Sequence, residues 1–254
     1  MAALAPLGRT VWTYPSPTSI SQPPLTSPSG LPPLLWGEHV PGVKRRFATN
    51  QPVIALTFDA CGSPGDGVNT ALLSMLERER VPATLFLSGR WIDKFPTVAQ
   101  ALARNPLFTI GNHGQNHRPA SLYGASVYGL PGTGSLAEFQ AEFDSNARKI
   151  QRLTGTYPRL CRSGGAYWDT DAVAALNQMG SQAIGFSVLG DRGATYNRSQ
   201  IAQAIASARP GDIVVLHMNH PEKDTAAGVE MGIQALKQRG IGFTQLSPTI
   251  TWQP

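Results

Sequence analysis

The sequence predicts an α/β protein: a mostly parallel sheet covered by helices and closed, or nearly closed, into a barrel. Three observations carry this expectation. Beyond position 51, short apolar runs alternate with amphipathic stretches of helical period, giving seven strands. Polar residues gather just after those runs, where parallel sheets collect their ligands. The 254 residues also suffice for one large domain with a full core, a length at which α/β barrels occur as single units. A doubly wound open sheet is the other arrangement compatible with the alternation. No Gly-x-Gly-x-x-Gly follows the first strand and no Gly-x-Ser-x-Gly elbow occurs, so neither a dinucleotide site nor an α/β-hydrolase nucleophile is indicated.

Residues 1–50 are rich in Pro, Ser and Thr without a sustained period, and read as an arm or linker that drapes over a domain at 51–254. The first strand is 53–58, followed by an amphipathic helix over 70–80 and a strand at 83–87. A helix near 97–104, a strand at 107–110 and a Gly- and Tyr-rich loop to 134 come next. A long helix begins at Ser135. Its Leu136, Phe139, Phe143, Ile150 and Leu153 recur at threes, fours and sevens, which sets them on one buried face, and Gly155 with Pro158 ends it. The series closes with a strand at 159–161, a helix at 170–179, a strand at 182–189, a helix at 199–208, the clearest β run at 212–217, a helix at 226–239 and a last strand at 242–246.

The net charge of +5 permits an acidic partner, but Lys44-Arg45-Arg46 is the only compact basic run. Without a basic stripe or a recognisable reading module, nucleic acid is not an expected partner, whereas an anionic glycan surface stays compatible. No run approaches the roughly eighteen apolar residues of a membrane span, and the opening Met-Ala-Ala-Leu-Ala-Pro-Leu-Gly-Arg is too short an apolar core for a secretory signal. Two cysteines, Cys61 and Cys161, leave the compartment open: buried free thiols and a disulfide both fit.

Chemistry-bearing residues stand at the strand ends. Asp59 follows the first strand, His113 and His117 the third, Arg162 the fourth, Asp191 the fifth and His217 the sixth. Two histidines four residues apart on a helical turn would be neighbours able to offer ring nitrogens to one cation. Each residue also has a plain structural role available: Asp59 as a strand-end cap, His217 as a satisfied core histidine, Arg162 with Asp191 as an ion pair. His220 lies beyond Met218-Asn219 on the following loop, and His39 has no supporting pattern.

The stretches Leu56-Thr-Phe-Asp59, Gly111-Asn-His-Gly-Gln-Asn-His117, Arg162-Ser-Gly-Gly-Ala-Tyr167, Gly190-Asp191 and Leu216-His217, in this order, resemble the polysaccharide deacetylase family, the NodB-homology or carbohydrate esterase 4 group. The match runs from about Val53 to Leu246. The resemblance implies a distorted, incomplete (β/α) barrel with about seven parallel strands, and a divalent metal, most often zinc. It implies a hydrolase acting on carbon–nitrogen bonds other than peptide bonds: removal of N-acetyl groups from an amino-sugar polymer such as peptidoglycan or a chitin-like glycan, or of O-acetyl groups from xylan. Carried over by position, His113 and His117 are metal ligands, Asp59 the general base, Arg162 its holder, His217 the general acid, and Asp191 the residue that tunes His217. A periplasmic or secreted location goes with such a substrate.

The chain departs from the family in two places. Members usually carry a second aspartate as third metal ligand where Ala60 stands, so the third ligand is expected from Asp66, from Asp59 itself, from water, or, least expected, from Cys61. Asp66 is equally placed to cap the next helix. The usual Arg-Pro-Pro-Tyr is replaced by a looser run in which Tyr167 lies five residues after Arg162, so the oxyanion donor within Gly164-Gly165-Ala166-Tyr167 is left open. Tyr123, Tyr128, Tyr167 and Trp168 are candidate sugar-stacking faces, with loop packing as the alternative, and Trp91 is expected in the core. Cys61 and Cys161 each adjoin a site residue, so an approach of Arg162 to Asp59 would bring a disulfide within reach. Two other functions stay open: a carbohydrate-binding protein on the same scaffold, its hydrolysis lost through Ala60, or a hydrolase of small cyclic amides.

Overall fold

A computed structural model describes residues 35–253. In chain order its elements are β1 (Trp36–Gly37), β2 (Val53–Ala60), α1 (Thr70–Arg78), β3 (Ala83–Leu87), α2 (Gly89–Lys94), α3 (Pro96–Arg104), β4 (Phe108–Asn112), α4 (Leu136–Thr154), β5 (Leu160–Cys161), β6 (Trp168–Asp169), α5 (Thr170–Gln178), β7 (Gln182–Ala183), β8 (Val188–Leu189), α6 (Arg198–Ala206), β9 (Ile213–His217), α7 (Thr225–Gln238) and β10 (Gly242–Phe243). The sheet runs β7-β5-β4-β3-β2-β9-β8, seven strands paired in parallel, with β10 against the start of β2.

Strands β7 and β8 lie at opposite edges of this sheet, yet only residues 184–187 separate them. A chain of that length reaches at most roughly 17 Å, so the sheet curls until its edges face each other. The result is an incomplete barrel. The single strand expected at 182–189 is therefore two, because the chain leaves one edge and joins the other, and the carbonyls of Ile184 and Gly185 turn to Arg162 instead of a neighbouring strand.

Alternation on β2 sorts the side chains between two environments. Ile54, Leu56, Phe58 and Ala60 point outward into the large core formed with α1, α2, α3, α6 and α7. Full burial of a Leu or Phe there contributes about 1.5–3 kcal/mol. Ala55 points inward, with Phe47, Phe86, Leu160, Ile184 and Ile213, to plug the barrel floor. Above that floor the same inward parity presents Thr57 and Asp59. A third cluster, including Phe139, Phe143, Cys161 and Trp168, seals α4 and α5 to the sheet.

Caps fix the helix starts. Ser135 accepts from Glu138 N at the head of α4, and Gly155 closes it in a left-handed conformation (φ 75°). Asn69, not Asp66, caps α1 by accepting from Leu72 N. The sequence pattern did not announce α2, one turn and a half capped by Ser88, whose Trp91 is fully buried in the core as expected. Of the proline-rich arm, residues 35–50 lie on the barrel: β1 pairs antiparallel with β6, Lys44 bridges Ile184, and Phe47 is buried in the floor. Residues 1–34 lie outside the described part of the chain.

Candidate active site

The site grows from the carboxyl ends of β2, β4, β5 and β9. Asp59 faces the barrel interior, and Arg162, the residue after β5, reaches it across the interior. Arg162 Nη1 donates to Asp59 Oδ1 and to Thr57 Oγ1, both at 2.8 Å. Its Nε and Nη2 donate to the carbonyls of Ile184 and Gly185 at 3.3 and 2.9 Å, and the guanidinium lies 4.3 Å from the Phe86 ring centroid. Burying this cation is tolerable because its fork is filled by a carboxylate and three other acceptors. Burial alone would push the Asp59 carboxyl up, but the Arg162 charge, with those of His113 and His217, holds it below the usual carboxylate value. Asp59 thus presents an ionised Oδ2, 3.7 Å from His113 Nε2.

His113 and His117 do not stand on a helical turn. They follow β4 on a bent loop, with Gly114 and His117 both at positive φ (72° and 59°) and their rings 4.7 Å apart, edge to face. His113 Nδ1 is 2.8 Å from the Arg162 carbonyl. A carbonyl can only accept, so Nδ1 carries a proton, and Nε2 is the nitrogen turned to the interior, with a lone pair to offer whenever the ring is neutral. His117 Nδ1 is buried and has no hydrogen-bond partner among the described residues.

The loop's shape is imposed from α4, by a residue sequence reasoning missed. Glu142 Oε1 accepts from Asn116 N (2.7 Å) and Arg118 N (3.1 Å), Oε2 from Asn116 Nδ2 (3.2 Å), and the Glu142 carbonyl accepts from Gln115 N. A Cβ on Gly114 would lie 2.5 Å from Glu142 Oε1, so the loop closes on the carboxylate only with glycine there. The available signal was an acid and an amide, Glu142 and Asn146, on the buried face of an otherwise apolar helix stripe. Asn146 Nδ2 in turn donates to Leu87 O and Asn112 Oδ1, tying α4 to the ends of β3 and β4.

On the other side of the site, His217 ends β9. Asp191, fully buried, takes His217 Nδ1–H on Oδ1 at 2.8 Å, while its Oδ2 accepts from His217 N at 2.7 Å and Thr225 Oγ1 at 3.3 Å. Burial works against a charged imidazole, but the Asp191 charge and hydrogen bond outweigh it and raise the His217 pKa well above its ordinary value. With Nδ1 engaged, Nε2 is left for a cleft of about 620 Å³ that His217 lines together with Asp59, His117, Glu38, Tyr128, Gly165, Leu189 and Arg192.

Cys61, one residue beyond β2, places Sγ 3.9 Å from His113 Nε2, and ligand atoms of Cys61, His113 and His117 all lie within 4.8 Å of one another. One sulfur and two imidazole nitrogens are the donor types a borderline cation such as zinc takes, so the residues present fit a divalent metal. Asp66, the expected third ligand, is not in this group. Its Oδ2 closes the 63–66 turn by accepting from Ser63 N, and Oδ1 faces His220 Nε2 at 3.8 Å. Ala60 is fully buried in the outer core.

The aromatic candidates divide. Trp168 is fully buried and stacked on Phe143, because β6 turns its ring toward α4, so it offers no face to a sugar. Tyr167 sits between Trp36 and Tyr128, at ring distances of 5.5 and 5.6 Å. Tyr128, 73% exposed, lines the cleft mouth. Tyr123 donates to Asp171 instead. The two cysteines are free even though Arg162 does reach Asp59: neighbours on a strand point oppositely, so Arg162 faces the interior while Cys161 faces the helices.

A family model described as polysaccharide deacetylase matches residues 47–184. The chain belongs to the polysaccharide deacetylase family. A chitooligosaccharide deacetylase of Azorhizobium caulinodans is 26% identical over 221 residues, covering 81% of this chain and 98% of the relative. The peptidoglycan-N-acetylmuramic acid deacetylase PdaA of Bacillus subtilis is 24% identical, over 78% of this chain and 71% of its own. Among solved structures, a family 4 carbohydrate esterase pseudoenzyme from Bacillus anthracis superposes with a TM-score of 0.66 at 21% identity, covering 80% of this chain and 66% of that one. The curled seven-stranded half-barrel is thus the fold of this deacetylase family. Within it this member lacks a carboxylate at Ala60 and has Cys61 beside the two histidines.

Proposed function

We propose that this deacetylase-family protein is a metal-dependent hydrolase that removes N-acetyl groups from an amino-sugar polymer outside the cytoplasm. The observation that carries the reading is the pairing of two proton-handling groups on one cleft, each held by its own buried partner: Asp59 by Arg162, and His217 by Asp191. A divalent cation, Zn2+ by donor type, held by His113 and His117 would polarise the acetyl carbonyl and acidify a water.

The chain's own residues supply the rest. Asp59, ionised and with Oδ2 free of Arg162, accepts the proton of the attacking water. In the 164–167 turn the N–H groups of Gly164 and Ala166 already donate to the Arg118 and Ser163 carbonyls, which leaves those of Gly165 and Tyr167 as the candidate oxyanion donors; Gly164 packs so closely on the His117 carbonyl that no side chain fits there, which draws this turn against the histidine loop. His217, kept protonated by Asp191, delivers a proton to the departing nitrogen, and acetate and a free amine are released. An amine leaves poorly without that proton, which favours the N-acetyl over the O-acetyl substrate. The exposed ring of Tyr128 at the cleft mouth offers a stacking face for a sugar.

The name of the relative PdaA places its substrate in peptidoglycan, and an extracytoplasmic location fits such a substrate. No helix of the described residues is long and apolar enough to cross a membrane. Ala60 favours one second reading, a glycan-binding protein without hydrolysis. Acetate release from peptidoglycan, chitin oligomers, acetylated glucosamine polymer and acetylxylan, each with and without chelator, separates the two. Chelator-sensitive release from an N-acetylated polymer is expected; binding without release on every polymer would leave only the second reading.

A further inference from the structure

We infer that Cys61 Sγ is the third protein ligand of the metal centre, so that a Cys-His-His site replaces the carboxylate-containing one and leaves Asp59 free as base. The inference rests on the metal-dependent reading above. Three side chains compete for the place, and geometry removes two. Ala60 has no donor atom and is sealed in the outer core. Asp66 spends one oxygen on Ser63 N and turns the other to His220. Asp59 gives Oδ1 to Arg162 and lies outside the group of atoms that come within 4.8 Å of one another.

Cys61 is already near ligand spacing. With metal–sulfur and metal–nitrogen bonds of about 2.3 and 2.05 Å at a tetrahedral angle, the two donor atoms stand about 3.6 Å apart. Sγ and His113 Nε2 are 3.9 Å apart, so a shift of a few tenths of an ångström brings both onto one ion. The His113 tautomer is preset by the Arg162 carbonyl, which aims the Nε2 lone pair at the sulfur side. A thiolate beside two imidazoles favours Zn2+ or Co2+ and discriminates against the hard cations Mg2+ and Ca2+, which take oxygen shells. Metal binding releases the thiol proton to solvent; no redox step is involved.

The full chain, stripped of metal and reloaded with one equivalent of Co2+, tests this. Expected is an intense near-ultraviolet thiolate-to-cobalt charge-transfer band, lost in Cys61→Ser together with at least about 100-fold in Co2+ affinity. Cys61→Asp should bind Co2+ without the band, and Cys161→Ser should keep both band and affinity. Stoichiometric Co2+ in the wild type without the band would overturn the proposal, as would failure of the wild type to bind Co2+ or unchanged affinity in Cys61→Ser. The wild-type spectrum decides even where a variant does not fold. A band with no acetate released from any glycan sinks the deacetylase reading and leaves the thiolate ligand standing; chelator-sensitive acetate release without the band does the reverse.

Discussion

Cys61 directly follows β2 and Cys161 ends β5 of the same sheet, both are buried, and each lies within two residues of a charged site residue, yet their chemistry diverges. Burial would raise the Cys61 thiol, but the charge of His117 and hydrogen bonds with His113, His117 and His217 pull it well below its ordinary value. Burial pushes the Cys161 thiol up to about 12, with Ser181 opposing only weakly. The two sulfurs differ in which side of the sheet they occupy. Inside the curl, side chains meet a ring of charges; outside it, they meet Phe139, Phe143 and Ala172. Burial by itself does not decide reactivity: the partners that share the burial do.

Asp59→Asn, a nearly isosteric change on the inner side, tests this contrast most severely. Acetate release should fall by about 10³-fold or more, with the circular dichroism spectrum unchanged; retention of activity would show that the inner carboxylate is structural. Next is Arg162→Ala, expected to destabilise by about 3–5 kcal/mol in urea unfolding, because it strands a buried carboxylate. The Asp59 pKa is lower in the fold than in the unfolded chain, so its stabilisation is present above the unfolded value and lost as pH falls through the folded one. Removing Arg162 takes this acid-labile contribution away, so the destabilisation should be largest near neutral pH and shrink as pH falls and the stranded carboxylate is protonated.

Asp191→Asn acts on the opposite wall. The raised His217 pKa keeps the imidazole charged through neutrality, and that contribution is complete below the unfolded value and lost as pH rises through the folded one. The variant should lose about 10²-fold in kcat, and the alkaline fall of its rate profile should shift to lower pH; an unshifted profile would exclude His217 as the acid. The smallest effect is on the thiols. Mass spectrometry after brief alkylation of metal-free protein near pH 7 should find Cys61 modified at least about tenfold faster than Cys161, and equal rates would erase the distinction between the two sides.

Much of this was legible in the sequence. The strand segments, with 182–189 read as one and the last, at 242–246, lying off the seven-strand path, the helix from Ser135 to Gly155 and the strand-end positions of Asp59, His113, His117, Arg162, Asp191 and His217 follow from apolar periods of two and three to four residues. The split of 182–189 was hidden, because Ile184 and Gly185 are apolar enough to continue a strand and stop doing so only where the barrel needs crossing. Glu142 was hidden for a related reason: an acid on a helix reads as a solvent-facing residue until the packing of α4 shows the loop amides it serves. Trp168 looked accessible because it adjoins Tyr167, but the short strand β6 sends the two rings to opposite sides.

The sequence by itself determined the alternation of strands and helices, the parity that sets Asp59 inward and Phe58 outward, and the set of residues at the sheet's carboxyl end. Those are local properties, written in a repeat of two or 3.6 residues. Tertiary structure alone decided that the sulfur of Cys61, and not a carboxylate oxygen of Asp66, comes within 4.8 Å of ligand atoms of the two histidines, and that Cys161 faces away from them. Past the last strand residue the chain's direction depends on the loop it enters. Whether two side chains from different strands can share one ion is set to within an ångström by sheet curvature and cross-strand register, which no spacing along the chain encodes.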